Sequence, residues 1–422
     1  MKKIAASLAL LVAAACAHRQ GSPPAGPAQA PAATATPAGQ GEGEPTPTSK
    51  EPAAPLTVAA VGDVMLGSSF PDETGGLLPP DDGAHLLDEV APILRAADLA
   101  FGNLEGPLAD SGTSDKCARS RPGRCYAFRV PTRYARHLAE AGFDVVSVAN
   151  NHAGDFGEAG RASTRAALAA SGIRWAGVPG EIARLEVERR RVAVVAFSTS
   201  GGTPDLRDLD AAARLVAEAG EGADLVVVSF HGGAEGADRQ HVPPGREEFL
   251  GEDRGDLRAF ARAVVAAGAD LVIGHGPHVV RGMEVIGGRL VAYSLGNFAT
   301  YGGMNLSGPN GLSLVLEVKL APDGTFLGGR IHAARQERPG GPRLDPAGAV
   351  IPVVRRLSQE DFGASAVQVE DDGTIAAPGR PDLRAGQSSR GDAVPTRSSR
   401  PAPGDQRAAT SPRGRFAGSS RP

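Results

Sequence analysis

Five apolar runs in this chain each stop at a short polar motif. Residues 56–61 end at Gly62-Asp63, 99–101 at Asn103-Leu104-Glu105, 145–149 at Asn150-Asn151-His152, 225–230 at His231 with Glu235, and 271–273 at His275 with His278. Apolar runs of this length read as parallel strands buried on both faces, and open α/β sheets place their ligand sites beyond the carboxyl ends of their strands. The pattern therefore predicts one site rather than five. It would gather carboxylates, amide oxygens and imidazoles, a donor set suited to a divalent cation such as Mn²⁺, Fe²⁺ or Zn²⁺, one or two in number.

Not all of the 422 residues can belong to that body, because the 34 prolines are unevenly spread and crowd the ends. Lys2 and Lys3 precede the apolar stretch 4–15, which is too short to span a bilayer and has the form of a secretory signal. It closes on Ala13-Ala14-Ala15-Cys16, which resembles the lipobox of bacterial lipoproteins, with Cys16 as the lipidated residue. Cleavage at the Ala-rich segment with Cys16 incidental is the plainer alternative. The first expectation is a chain exported across the cytoplasmic membrane and lipid-anchored in the cell envelope, at the membrane and periplasm or the cell surface.

The predicted organisation is a signal over 1–16, a disordered Pro/Ala-rich tether over 17–55, a folded domain over 56–335, a partly ordered extension over 336–370, and a disordered Arg/Ser/Pro/Gly tail over 371–422. The tail reads as a solvated segment, although its arginines could favour anionic polymers or lipid. A formal net charge of −4 gives no electrostatic case for nucleic acid. Of the three cysteines, Cys117 and Cys125 bracket seven residues of a polar loop that contains Gly and Pro. In an oxidising compartment a disulfide is the default reading; the rival, a metal pair, lacks a neighbouring His.

Within the body, strands and helices alternate. Strands are predicted over 56–61, 99–101, 145–148, 174–178, 192–197, 225–230 and 271–273, with helices over 84–96, 131–141, 158–170, 209–219 and 255–267. Gly142, Gly172 and Gly268 punctuate helix ends. The period then changes to hairpins, 282–286 with 289–294 around Gly287-Gly288, and 312–320 with 326–332 around Asp323-Gly324. The only tryptophan, Trp175, is expected to pack in the core.

Six motifs in order, Val61-Gly62-Asp63-Val64-Met65-Leu66-Gly67, Gly102-Asn103-Leu104-Glu105, Ala149-Asn150-Asn151-His152 with Asp155 and Gly157, His231-Gly232-Gly233-Ala234-Glu235, Gly274-His275-Gly276-Pro277-His278 and Ser294-Leu295-Gly296-Asn297-Phe298, resemble those of the CapA family of bacterial capsule and poly-γ-glutamate synthesis proteins. That family is distantly similar to calcineurin-type metallophosphatases. The resemblance implies an α/β protein, a four-layer α/β/β/α sandwich with C-terminal β-hairpins, and a metal site. It also implies a role in synthesis, export or anchoring of an anionic cell-surface polymer, with capsule export or synthesis proteins as partners.

On this reading Asp63, Glu105, Asn151, His231, His275 and His278 are the metal-ligand candidates, and His152 and Glu235 the catalytic ones. Asn103, Asn150, Asp155 and Asn297 complete the site; Asn297 could equally close its hairpin. The metallophosphatase pattern has a His two residues after its first Asp, where this chain has Met65, and it spaces the closing histidines by one residue, where Gly276 and Pro277 intervene. Two functions stay open: a metal-dependent hydrolase of the phosphoesterase type, and a non-catalytic lipoprotein that binds the polymer for an export machine.

Overall fold

The computed structural model describes residues 54–71, 76–117 and 126–379. Cys16, Cys125, the signal and the tether lie outside the described residues, as do residues 380–422. Two sheets face each other. In the ten-stranded sheet the neighbours are Phe326–Gln336, Leu312–Leu320, Leu56–Met65, Leu99–Leu104, Val145–Ser147 and Arg174–Ala176, in that order. The six-stranded sheet runs Met283–Ile286, Arg289–Ala292, Leu271–His275, Leu225–His231, Arg190–Ser198 and Ala183–Val187.

Alternation along the strands shows why the runs are apolar throughout. Val58 and Ala60 join Phe101, Val194, Val227 and Ile273 between the sheets. Ala59 and Val61 face the other way, onto Leu94, Leu138 and Leu168 of three helices. Val195, Val226 and Val228 of the second sheet likewise pack on Val216, Phe260 and Val264 of the helices Leu209–Gly220 and Leu257–Ala266. Both faces of both sheets are thus covered, and the fold is the four-layer α/β/β/α sandwich expected.

Several elements differ from the expectation. The helix predicted over 84–96 is α-helical only over Ala91–Ala96, because Pro92 lacks an N–H and is tolerated only in a first turn. Ala183–Val187 is a strand that the sequence pattern does not mark. It hairpins onto Arg190–Ser198 through Glu188 and Arg189, both with positive φ, a turn built without the glycine that usually signals it. By contrast Gly287 (φ 55°) and Gly288 (φ 82°) make the predicted two-residue turn between Ile286 and Arg289.

The chain beyond 335 also contributes to the folded body. The helix Val350–Phe362 inserts Val350, Ile351 and Val354 into the core between the sheets, and strand Thr374–Ala376 pairs with Phe326–Gln336. The ordered body therefore runs past 371, where the sequence pattern places the start of the tail. Trp175 is half-buried and packs against the edge of the outer core, its indole N–H 3.3 Å from Glu181 Oε2. Among the described residues no helix is long and apolar enough to cross a membrane.

Candidate metal centre

Strand register assembles the site. Asp63 lies beside Asn103 on one neighbouring parallel strand and beside Asn297 on the other. In the second sheet His231 lies beside His275. Asp63, Asn103, His231 and His275 are at the carboxyl ends of their strands, whereas Asn297 opens the strand Asn297–Thr300, and the two sheets bring the two rows together. The approach needs glycine at position 62, where a Cβ would stand 1.9 Å from the Gly296 carbonyl oxygen. That carbonyl accepts the Asp63 N–H at 2.9 Å.

At the centre, one side-chain atom from each of Asp63, Glu105 and His231 lies within 4.8 Å of the others, and all three residues are buried. His275 Nδ1 is 3.6 Å from Asp63 Oδ1. His278 Nδ1 is 3.1 Å from Asp63 Oδ2, and its Nε2 is 3.6 Å from Glu105 Oε1 and 3.9 Å from Glu235 Oε2. Asn103 donates to Asp63 Oδ1 at 2.9 Å and lies 3.3 Å from His231 Nδ1; Asn150 donates to Asn103 Oδ1 at 3.1 Å and to the Leu104 carbonyl at 2.8 Å. Asn103 and Asn150 therefore position the ligand candidates and contribute no free oxygen of their own. Asn297 acts in the same way on His278, whose backbone is left-handed (φ 58°): its Oδ1 is 3.1 Å from His278 Nδ1, and its amide donates to the His278 carbonyl at 3.2 Å.

Buried polar groups without partners are rare in folded proteins. Here both oxygens of Glu105, Asp63 Oδ2, His231 Nε2, both nitrogens of His275 and Asn151 Oδ1 lack a hydrogen-bond partner. Oxygen and imidazole donors converging without partners fit a divalent cation.

The electrostatics agree. Burial opposes ionisation of Asp63, but His275 and His278 outweigh it and hold its carboxyl well below the usual range. Burial lifts Glu105 to about 8, with Asp63 and Glu235 adding to the rise. Burial disfavours charge on His278, yet Glu105, Asp63 and Glu235 together raise it to about 10. His231 is pushed far down by burial and is neutral.

A pH dependence follows for protein treated with chelator. The folded pKa of His278 is raised above 6.5, so its contribution is complete below 6.5 and is lost as pH rises through about 10. Glu105, raised from 4.5 to about 8, adds a loss of the same sign across that interval. The thermal midpoint of the chelated protein is expected to fall from pH 6.5 to pH 10, measured by calorimetry; a flat profile would refute these assignments.

Asn151, His152, Glu235 and His278 line a cavity of about 270 Å³ beside the cluster. His152 Nδ1 is 2.7 Å from Asp155 Oδ2 and its ring stacks on Phe128 with centroids 4.3 Å apart. Asp155 also accepts from Lys116 Nζ at 2.6 Å and from the Phe128 N–H at 2.8 Å. With those donors on the carboxylate, the shared proton belongs to Nδ1, and Nε2 is the His152 atom left for exchange. Burial lowers the pKa of His152, so the ring is neutral near pH 7. Glu235, 20% exposed in its side chain, pairs with Arg254 at 2.9 Å.

Lys116, Phe128 and Arg254 escape the sequence reading. Lys116 sits in a polar loop and Arg254 at a strand end, with no motif around either to flag them. Cys117, next to Lys116, is in a disulfide; Cys125 lies outside the described residues.

Comparison with known proteins identifies the lineage. Residues 57–301 match the family model PGA_cap, bacterial capsule synthesis protein. The chain belongs to the PGA_cap family. Within it, the chain is similar to the PGA biosynthesis protein CapA of Bacillus subtilis (29% identity, 58% of this chain, 63% of that one) and the capsule biosynthesis protein CapA of Bacillus anthracis (28%; 58% and 59%). A probable polyglutamine synthesis accessory protein of Mycobacterium tuberculosis is 29% identical over 57% of this chain and 73% of its own. The chain thus spans about three fifths of the length of the two Bacillus proteins. Among solved structures, a 5'-nucleotidase precursor from Thermus thermophilus aligns over 66% of this chain and 54% of its own, with 13% identity and a TM-score of 0.37. The PGA_cap match contains all six motifs and ends before the hairpin at 312–336.

Proposed function

We propose that this PGA_cap protein is an envelope component of capsule or polyglutamate synthesis that acts as a metal-dependent hydrolase of the phosphoesterase type. The observation that carries the reading is the convergence of Asp63, Glu105 and His231, with their partnerless atoms, beside a cavity that also holds His152. The names of the Bacillus and mycobacterial relatives supply the polymer context. Export through the signal at 1–16 and anchoring at Cys16 belong to the proposal, as do polymer-synthesis or export proteins as partners.

Asp63, Glu105, Asn151, His231, His275 and His278 would hold one or two divalent ions such as Mn²⁺, Fe²⁺ or Zn²⁺. A bound cation would polarise a phosphoryl or acyl oxygen and lower the pKa of water. The chain's own residues do the rest. His152, with Nδ1 committed to Asp155, presents Nε2 to exchange a proton with the departing oxygen. Lys116 fixes Asp155, and Phe128 fixes the plane of the ring. Arg254 pairs with Glu235 and holds it facing His278.

His152→Ala is expected to lower turnover of a phosphoester or of the polymer by about 100- to 10,000-fold, the usual worth of a positioned acid–base group, with metal content unchanged. Turnover equal to that of the parent would remove His152 from catalysis. A second reading, a non-catalytic polymer-binding role, is favoured by Met65: a fully buried thioether packed in the outer core stands where the metallophosphatase pattern has a histidine. It predicts saturable polymer binding without turnover by metal-loaded protein.

A further inference from the structure

A second cavity of about 270 Å³ adjoins the metal-ligand loop and shares no lining residue with the cavity of His152 and Glu235. It lies beyond the carboxyl ends of Leu99–Leu104, Val145–Ser147 and Arg174–Ala176, against the helix Gly157–Ala170. Leu104, Pro107, Val148, Ala153, Val178 and Pro179 give it an apolar interior, and Glu158, Arg161 and Arg165 of the helix add charge. Arg165 is paired with Glu158 at 2.8 Å. Arg161 is half-buried and has no carboxylate within ion-pair distance among the described residues. Its Nη2 donates to the Gly201 carbonyl at 2.8 Å and its Nη1 to the Gly202 carbonyl at 3.4 Å. The fit is close, since a Cβ at Gly154 or at Gly202 would stand 2.9 Å from Nη2. Neutral carbonyls thus fix this guanidinium in place and leave its charge uncompensated, with three of its five N–H donors unused.

We propose that this cavity binds an aliphatic monocarboxylate, with the acid group on Arg161 and the hydrocarbon body among the apolar side chains. An apolar interior with a few convergent polar groups is the usual form of a small-ligand site. Charge decides the sign and number on the ligand: two guanidinium groups against one carboxylate leave the lining a single positive charge, so a monoanion balances it. A carboxylate also matches the planar fork of a guanidinium. The volume corresponds to about nine waters at ~30 Å³ each, room for an acid of about eight carbons. Waters there meet mostly apolar side chains, and replacing poorly held water by an apolar group gains affinity. The inference does not depend on the metal-dependent reading, but it touches the same segment. The loop 148–153 gives Val148 and Ala153 to this cavity and Asn151 and His152 to the other, and Asn150 donates to the Leu104 carbonyl at 2.8 Å.

The test is calorimetric titration of the full, chelator-treated chain with octanoate below its micelle-forming concentration, beside octanol and acetate. Octanoate is expected to bind about tenfold tighter than octanol, which has the body without the charge, and about 100-fold tighter than acetate, which has the charge without the body. Arg161→Gln keeps a donor for the Gly201 carbonyl and removes the charge. It should erase the preference for octanoate and leave octanol affinity unchanged, a split that a merely structural loss would not produce. Val178→Trp fills the cavity and should abolish binding of both eight-carbon ligands, with circular dichroism confirming the fold. A negative heat-capacity change for octanoate marks the apolar burial. No octanoate binding, octanol or acetate binding as tightly as octanoate, or octanoate affinity unchanged in Arg161→Gln or in folded Val178→Trp would each overturn the site. Should Val178→Trp fail to fold, the octanoate–octanol split in Arg161→Gln decides alone.

Discussion

Replacing Asp63 by Asn is expected to lower divalent-metal affinity by ~100-fold or more, beyond the 10- to 100-fold cost of losing an outer partner of a metal site. Both oxygens of Asp63 are engaged in the cluster: Oδ1 accepts from Asn103 at 2.9 Å, and Oδ2 faces His278 at 3.1 Å with no hydrogen bond of its own. The amide keeps the volume and removes the charge. It would also turn either an N–H toward His278 Nδ1 or a neutral oxygen toward the ion. Plasma mass spectrometry after dialysis, with competition against a chromophoric chelator, measures the effect. Circular dichroism distinguishes it from unfolding, and His275→Ala provides a second ligand variant. Unaltered stoichiometry and affinity in Asp63→Asn would exclude Asp63 as a ligand and reopen the centre's assignment.

The same cluster shows what sequence pattern can and cannot deliver. Asp63, His231 and His275 were legible because each ends an apolar run, and parallel strands carry their last residues to one end of the sheet. Their strand neighbours are also legible, since register sets Asn103 beside Asp63. Division of labour among those polar residues was not. Asn103, Asn150 and Asn297 orient other side chains, while Asn151 keeps a partnerless oxygen, and only hydrogen-bond geometry separates them.

Residues that reach the site from distant loops carry no local signal at all. Lys116 meets Asp155 from 39 positions away, and Arg254 meets Glu235 from a hairpin strand of mostly polar residues that has no apolar face to mark it. At the level of the fold the pattern failed in comparable places. The Ala183–Val187 strand turns without glycine, and the helix Val350–Phe362 has no side-chain N-cap bond and a proline in its first turns. Helix and hairpin signals are local, whereas the pairing that stabilises these elements is not.

Glu247→Ala is expected to cost about 3–5 kcal/mol of folding stability, because it strands a charge that has no route to water. Arg281 is fully buried, and two of its guanidinium nitrogens meet the oxygens of Glu247 at 2.8 Å each. The remaining contacts run to the loop that carries Glu235: Arg281 donates to the Ala234 carbonyl at 3.0 Å and to the Arg239 carbonyl at 2.8 Å, and Glu247 accepts the Ala234 N–H at 2.9 Å. The pair therefore fastens the His231-to-Glu235 segment, and the site depends on it although neither residue touches the metal cluster. Taking both away is a different matter. Glu247→Met with Arg281→Met leaves no unpaired charge, and replacement of a buried ion pair by apolar side chains of similar volume is often neutral or stabilising. Urea unfolding of the three chains decides between these cases. A Glu247→Ala midpoint within about 1 kcal/mol of the parent would mean that the pair is worth no more than an exposed one. A double variant as damaged as the single one would mean that the loop needs the hydrogen bonds rather than the charge balance.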